Sequence, residues 1–141
     1  MNFIEQFYSV LGKYPDKPLI TEVHDTELRA TSAAEIADLA ARARSALRAH
    51  NVSPGDRVVL LAPNSARWVA SDLAILFEGA ICVPMYARQA AHELVGMVRD
   101  CTPALVVCAT EALANALRGA TDSSDTLWKD TQLITFDAWF T

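Results

Sequence analysis

Hydrophobic positions at the start of the chain fall at helical spacing: Phe3, Ile4, Phe7, Val10 and Leu11. This predicts a short amphipathic helix over Asn2 to about Gly12, ended by Pro15 and Pro18. The stretch "PLITEVHDTELRAT" then alternates, predicting two short strands that turn at His24-Asp25. Ser32-Ala33-Ala34-Glu35 follows as a capping-box pattern, a hydroxyl with a carboxylate three residues on. It opens a long helix to about His50, with Ile36, Leu39, Ala40, Ala43 and Leu47 along one face. Asp38 and Arg42, four apart, add a helix-supporting pair on another side.

Beyond Asp56 the pattern changes to continuous apolar runs separated by helical ones. "DRVVLLA", "AICV", "ALVVCA" and "QLITF" read as strands buried on both faces. Between them lies a helix capped by Asn64, carrying Trp68, Val69, Leu73, Leu76 and Phe77 and stopping at Gly79. A second helix spans Ala90 to Asp100, with Leu94, Met97 and Val98 on the side that also holds Cys101; a third runs from Thr110 to Leu117. Such alternation predicts an α/β fold: a mainly parallel sheet with helices on both faces, plus a small N-terminal hairpin. Residues 1–141 form one subdomain in this reading, and the polar "RGATDSSDT", 118–126, is a mobile loop.

Composition narrows the function classes. The chain has 141 residues, enough for one real core, and 52% of them are hydrophobic. Its net charge of −5 is spread along the chain, and without a basic face nucleic acid is not an expected partner. No segment approaches the roughly 20 apolar residues of a membrane span; the longest apolar run, Val58 to Pro63, is strand-sized. The N-terminus has no basic region or cleavage site, so no signal peptide is expected. Cys82, Cys101 and Cys108 are an odd count without CxxC spacing. That argues against a disulfide framework or zinc site and for the reducing cytoplasm.

The chemical inventory is sparse. Phosphate cradles need clustered glycines whose N–H groups converge on one anion, and the glycines here, 12, 55, 79, 96 and 119, are dispersed. His24, His50 and His92 lack metal-ligand spacing and read as surface residues. Ser53, Ser65 and Ser71 lie in no nucleophile elbow, and Asn64-Ser65 reads as a cap rather than as catalytic polar groups. Asp72 and Glu78 read as solvated or ion-paired, and Cys82 as an inert core thiol. Read residue by residue, the chain offers no catalytic, ATP-binding or metal-ligating residue.

The ordered landmarks do carry a likeness. "SPGDRVVLLAPNSARWVASDLAILFEGAICVPMYAR" resembles the N-terminal part of the AMP-forming acyl/aryl ligases. This adenylate-forming superfamily includes acyl-CoA synthetases, luciferases and peptide-synthetase adenylation domains. "RATSAAEIADLAARARSALRAHNVSPGDRV" is similar to the segment where a Thr/Ser-Tyr-x-Glu-Leu pattern opens a helix leading to a Gly-Asp-x-Val strand. "APNS" with Trp68 matches the following strand-to-helix turn, and "LAILFEGAICVPMYAR" the Gly-Ala-x-x-x-Pro landmark. "ELVGMVRDCTPALVVCA" matches the next helix and strand, so the likeness covers roughly residues 16–110. Ala33 stands where the family often has an aromatic residue, and Ala87 where a proline is usual.

The resemblance implies ATP-dependent activation of a carboxylic acid, fatty or aryl. The carboxylate attacks the α-phosphate of Mg2+-bound ATP to give an acyl-adenylate and pyrophosphate. A thiol, commonly that of coenzyme A, then displaces AMP. The family's phosphate loop, acidic Mg2+ residues and mobile lysine domain match nothing in this chain, which implies the first subdomain of a larger ligase, inactive and prone to self-association alone. By resemblance Arg88, just past the Val-Pro landmark, contacts the phosphates of coenzyme A. The rival reading is a free-standing α/β binding or regulatory module using the C-terminal ends of its strands.

Overall fold

Two capping boxes set the first helices of the computed structural model, which describes Met1–Thr141. Asn2 Oδ1 accepts from the Glu5 N–H and Glu5 Oε2 from the Asn2 N–H, both at 2.9 Å, opening α1 (Phe3–Lys13). The predicted hairpin follows as β1 (Pro18–His24) and β2 (Glu27–Ser32), antiparallel, with Asp25 at φ 54° in its turn. Ser32 and Glu35 then form the predicted box, at 3.2 and 2.7 Å, and open α2 (Ala33–Ala49).

The remainder alternates: β3 (Arg57–Leu61), α3 (Ala66–Phe77), β4 (Ile81–Met85), α4 (Ala91–Cys101), β5 (Leu105–Cys108) and α5 (Glu111–Gly119). It closes with α6 (Leu127–Asp130), β6 (Gln132–Thr135) and α7 (Phe136–Phe140). The large sheet has the order β4-β3-β5-β6, every neighbouring pair parallel. Its side chains alternate between two cores. Val58, Leu60, Leu105 and Val107 join the apolar faces of α2, α3 and α7. Val59, Leu61, Val106 and Cys108 join those of α4 and α5. Two-sided burial is the reason the central strands read as unbroken apolar runs. A third cluster, including Leu11, Ile36 and Leu73, seats α1 on α2 and α3.

The structure corrects four local expectations. Ser65, not Asn64, caps α3: its Oγ accepts from the Trp68 N–H at 3.0 Å. Both residue types are good caps, but the helix begins at Ala66, which puts Ser65 in the N-cap position, from where a side-chain oxygen reaches the third N–H. β4 is not buried on both faces, because it is the sheet's edge; Ile81 is 49% exposed, and Cys82 and Val83 are half-buried. The edge position also lets the strand run through Pro84. Within the polar 118–126 segment, Arg118 and Gly119 complete α5, and Leu127 N–H donates to Asp125 Oδ1 at 2.9 Å just beyond. The "QLITF" strand ends one residue early: Phe136 leaves β6 for α7, where Trp139 and Phe140 are also buried.

Candidate functional site

β3 and β4 run parallel with Leu61 opposite Met85, so the segments that leave them emerge side by side at one end of the sheet. There they enclose a cleft of about 430 Å³. Pro63, Asn64 and Trp68 form one wall, and Tyr86, Ala87 and Arg88 the other. Ligands of open α/β sheets sit outside the carboxyl ends of the strands, which is where this cleft lies. Arg88 is exposed there, and no carboxylate pairs with its guanidinium. An unpaired guanidinium beside two aromatic rings suits a planar, anionic ligand.

The two walls have different local origins. The Trp68 backbone is pinned by its bond to Ser65 Oγ, and its ring packs against the core shared by α2, α3 and α7. Tyr86 follows directly on the edge strand β4 and is 66% exposed. The sequence reading singled out Arg88 but treated Asn64 only as a cap, Trp68 as part of an apolar helix face and Tyr86 as part of a landmark. The signal is position: Asn64, Tyr86 and Arg88 sit just beyond the end of a parallel strand, and Trp68 in the first turn of the helix that follows one.

The remaining candidates stay apart. His24 lies on the hairpin, 3.6 Å from Glu22; His50 ends α2, its Nδ1 2.7 Å from Gln132 Oε1; His92 is exposed on α4. Glu78 is ion-paired with Arg44 at 2.7 Å and Arg48 at 2.8 Å, as read from the sequence, whereas half-buried Asp72 contacts the Cys82 thiol instead. Burial, with Asp72's charge and hydrogen bond adding to it, pushes that thiol up to about 12. Cys108, buried in β5, is likewise pushed up to about 12, chiefly by burial.

No three acidic, histidine or cysteine side chains converge as cation ligands. The glycines with positive φ, Gly55 and Gly79, meet each other at the opposite end of the sheet, Gly55 N–H donating to Gly79 O at 2.8 Å. Their N–H groups therefore do not line the cleft.

Residues 7–137 match the family described as AMP-binding enzyme. The chain belongs to the AMP-binding enzyme family. Among curated relatives in that company is a 3-[(3aS,4S,7aS)-7a-methyl-1,5-dioxo-octahydro-1H-inden-4-yl]propanoyl:CoA ligase of Rhodococcus jostii. It is 36% identical over 89 residues, 62% of this chain and 17% of the relative. A feruloyl-CoA synthase of Amycolatopsis is 35% identical over 88 residues, 60% of this chain and 18% of that protein. The chain thus spans less than a fifth of either relative's length. The N-terminal domain of FACL13 from Mycobacterium tuberculosis superposes with a TM-score of 0.79 at 25% identity, over 98% of this chain and 35% of that one. The α/β architecture read from the sequence is the architecture of the family's N-terminal region. No helix is long and apolar enough to cross a membrane.

Proposed function

We propose that these residues are the N-terminal α/β part of a cytoplasmic AMP-forming ligase that joins a carboxylic acid, fatty or aryl, to the thiol of coenzyme A. The observation that carries this reading is the family match over residues 7–137. In support, both relatives described above are named for products or reactions of coenzyme A with a carboxylic acid. With no cluster of cation-ligating side chains and with the positive-φ glycines at the far end of the sheet in support, the reading assigns adenylation to other parts of the enzyme and leaves the 141-residue chain inactive alone.

What remains for this chain is binding and positioning. The Arg88 guanidinium offers a forked donor set to a phosphate of coenzyme A, in a cleft that Tyr86 and Trp68 also line. A contact of that kind lies far from the reacting sulfur, so it holds the thiol substrate equally in ground and transition states. The test is carboxylate-dependent exchange of pyrophosphate into ATP by the product of the complete reading frame.

A further inference from the structure

Every long helix of this fold except one carries an acidic residue in its own first turn: Glu5 in α1, Glu35 in α2, Glu93 in α4 and Glu111 in α5. α3, the helix that begins at the cleft, has none. A helix start bears partial positive charge and orphan N–H groups, and a nearby carboxylate satisfies both. Here the carboxylate comes from the hairpin. Glu22 Oε2 accepts from the Ala66 N–H at 3.3 Å, across 44 residues of chain.

The hairpin is oriented to make this delivery. Along β1, Glu22 is half-buried against the body, while its neighbours Thr21 and Val23 are exposed. The apolar cross-strand pair Val23–Leu28 faces outward, at 71% and 74% exposure, so an acidic side chain takes the inward position that an apolar one would normally fill. Glu22 Oε1 lies 3.6 Å from His24 Nε2, which leaves Oε2 for the helix. Asn64 lines the Arg88 cleft on one side and a second hollow, walled by Glu22 and His24, on the other. The Asn64-Ser65 turn is therefore a thin partition between hairpin and cleft.

We propose that Glu22 is a positioning residue: by holding the first N–H of α3 it sets the Asn64–Trp68 wall of the Arg88 cleft. The identity of the cleft's ligand rests on the function proposed above; the positioning claim does not. The test compares amide spectra of the 15N-labelled 141-residue chain with those of Glu22→Ala and Glu22→Gln, each titrated with coenzyme A. Glu22→Ala should move the Ala66 amide proton upfield and shift the Asn64 amide and the Trp68 indole. Glu22→Gln keeps an acceptor oxygen and should restore all of these signals most of the way. Affinity for coenzyme A should fall several-fold in Glu22→Ala and recover in Glu22→Gln. An unmoved Ala66 amide, or a shift that stops at Ala66, overturns the proposal. If wild-type chain shows no shifts with coenzyme A, the ligand assignment fails, while the Ala66, Asn64 and Trp68 signals still decide the role of Glu22. Should Glu22→Ala unfold, Glu22→Asp takes its place, because the shorter side chain draws the acceptor back from the Ala66 N–H: the Ala66, Asn64 and Trp68 signals should move as described for alanine, and unmoved signals overturn the role.

Discussion

Gly79 turns at φ 74° against Pro54, whose Cβ lies 3.3 Å from the place a Gly79 Cβ would occupy. The Gly-Ala landmark after α3 thus has two physical reasons: a left-handed backbone and a close approach of Pro54 that a side chain would have to push back. Gly79→Ala should destabilise the fold by about 1–2 kcal/mol from conformation alone, and further from the contact. Gly96, inside α4 with nothing within 4 Å of its missing Cβ, should respond oppositely. Replacing Gly96 by Ala should stabilise by about 0.5–1 kcal/mol. Urea midpoints of the two variants check the contrast in sign.

Glu78 takes three hydrogen bonds from Arg44 and Arg48, which tie α2 to the end of α3. Arg44 also lies 3.6 Å over the Phe77 ring. Burial works to raise the Glu78 carboxyl, but the bonds and charges of Arg48 and Arg44 outweigh it and hold the group below its usual 4.5. The native state then ionises at lower pH than the unfolded one. The stabilisation is complete above the unfolded value and is lost as pH falls through the native value. Glu78→Gln should cost about 1.5–3 kcal/mol near neutrality, the range for bonds to a charged group. The gap to wild type should close in acid, below the usual 4.5. Denaturation at a series of pH values measures it, and a gap independent of pH would refute the ion-pair account.

The sheet was legible because strands covered on both faces leave a simple trace, an unbroken apolar run such as Val58 to Leu61. Strand order leaves no such trace. "AICV" reads like a central strand, and only the nearby Pro84 hints at the edge where it lies. Short α6 and α7 fall below any reliable period, and burial of Trp139 depends on α2, distant in sequence. The cleft has the same difficulty: Trp68 and Arg88 belong to different βα units, and only the parallel register of β3 with β4 brings them together. Arg88 stood out by family resemblance alone, and Glu22 by nothing in its local sequence.

The thiols should be free and unequal in rate. Cys82 and Cys108, both pushed up to about 12, carry almost no thiolate at neutral pH. The Cys82 barrier comes first from burial and then from Asp72, so Asp72→Asn should speed Cys82 in part and leave Cys108 unchanged. Disulfide-exchange kinetics on the native chain check the order, and the denatured chain should titrate as three thiols, matching its three free cysteines. Equal rates for Cys82 in wild type and Asp72→Asn would remove the aspartate from the explanation.

Replacing Arg88 by Ala in the complete ligase should raise KM for coenzyme A about tenfold, the equivalent of roughly 1.4 kcal/mol, with kcat unchanged. Adenylation, which precedes the thiol, should be unaffected. An unchanged KM would remove Arg88 from the thiol site and leave the rest of the account standing.

The central claim is that these residues belong to an acid-activating ligase, and the adenylation half-reaction tests it without knowledge of the thiol acceptor. The product of the complete reading frame, offered a panel of fatty, aryl and amino acids, should exchange labelled pyrophosphate into ATP only when an acid is present, most strongly with a hydrophobic one. The 141-residue chain alone should show no exchange with any of them. Exchange by the short chain would contradict the assignment of adenylation to other parts of the enzyme, and no exchange by the complete product with any acid would contradict the ligase itself.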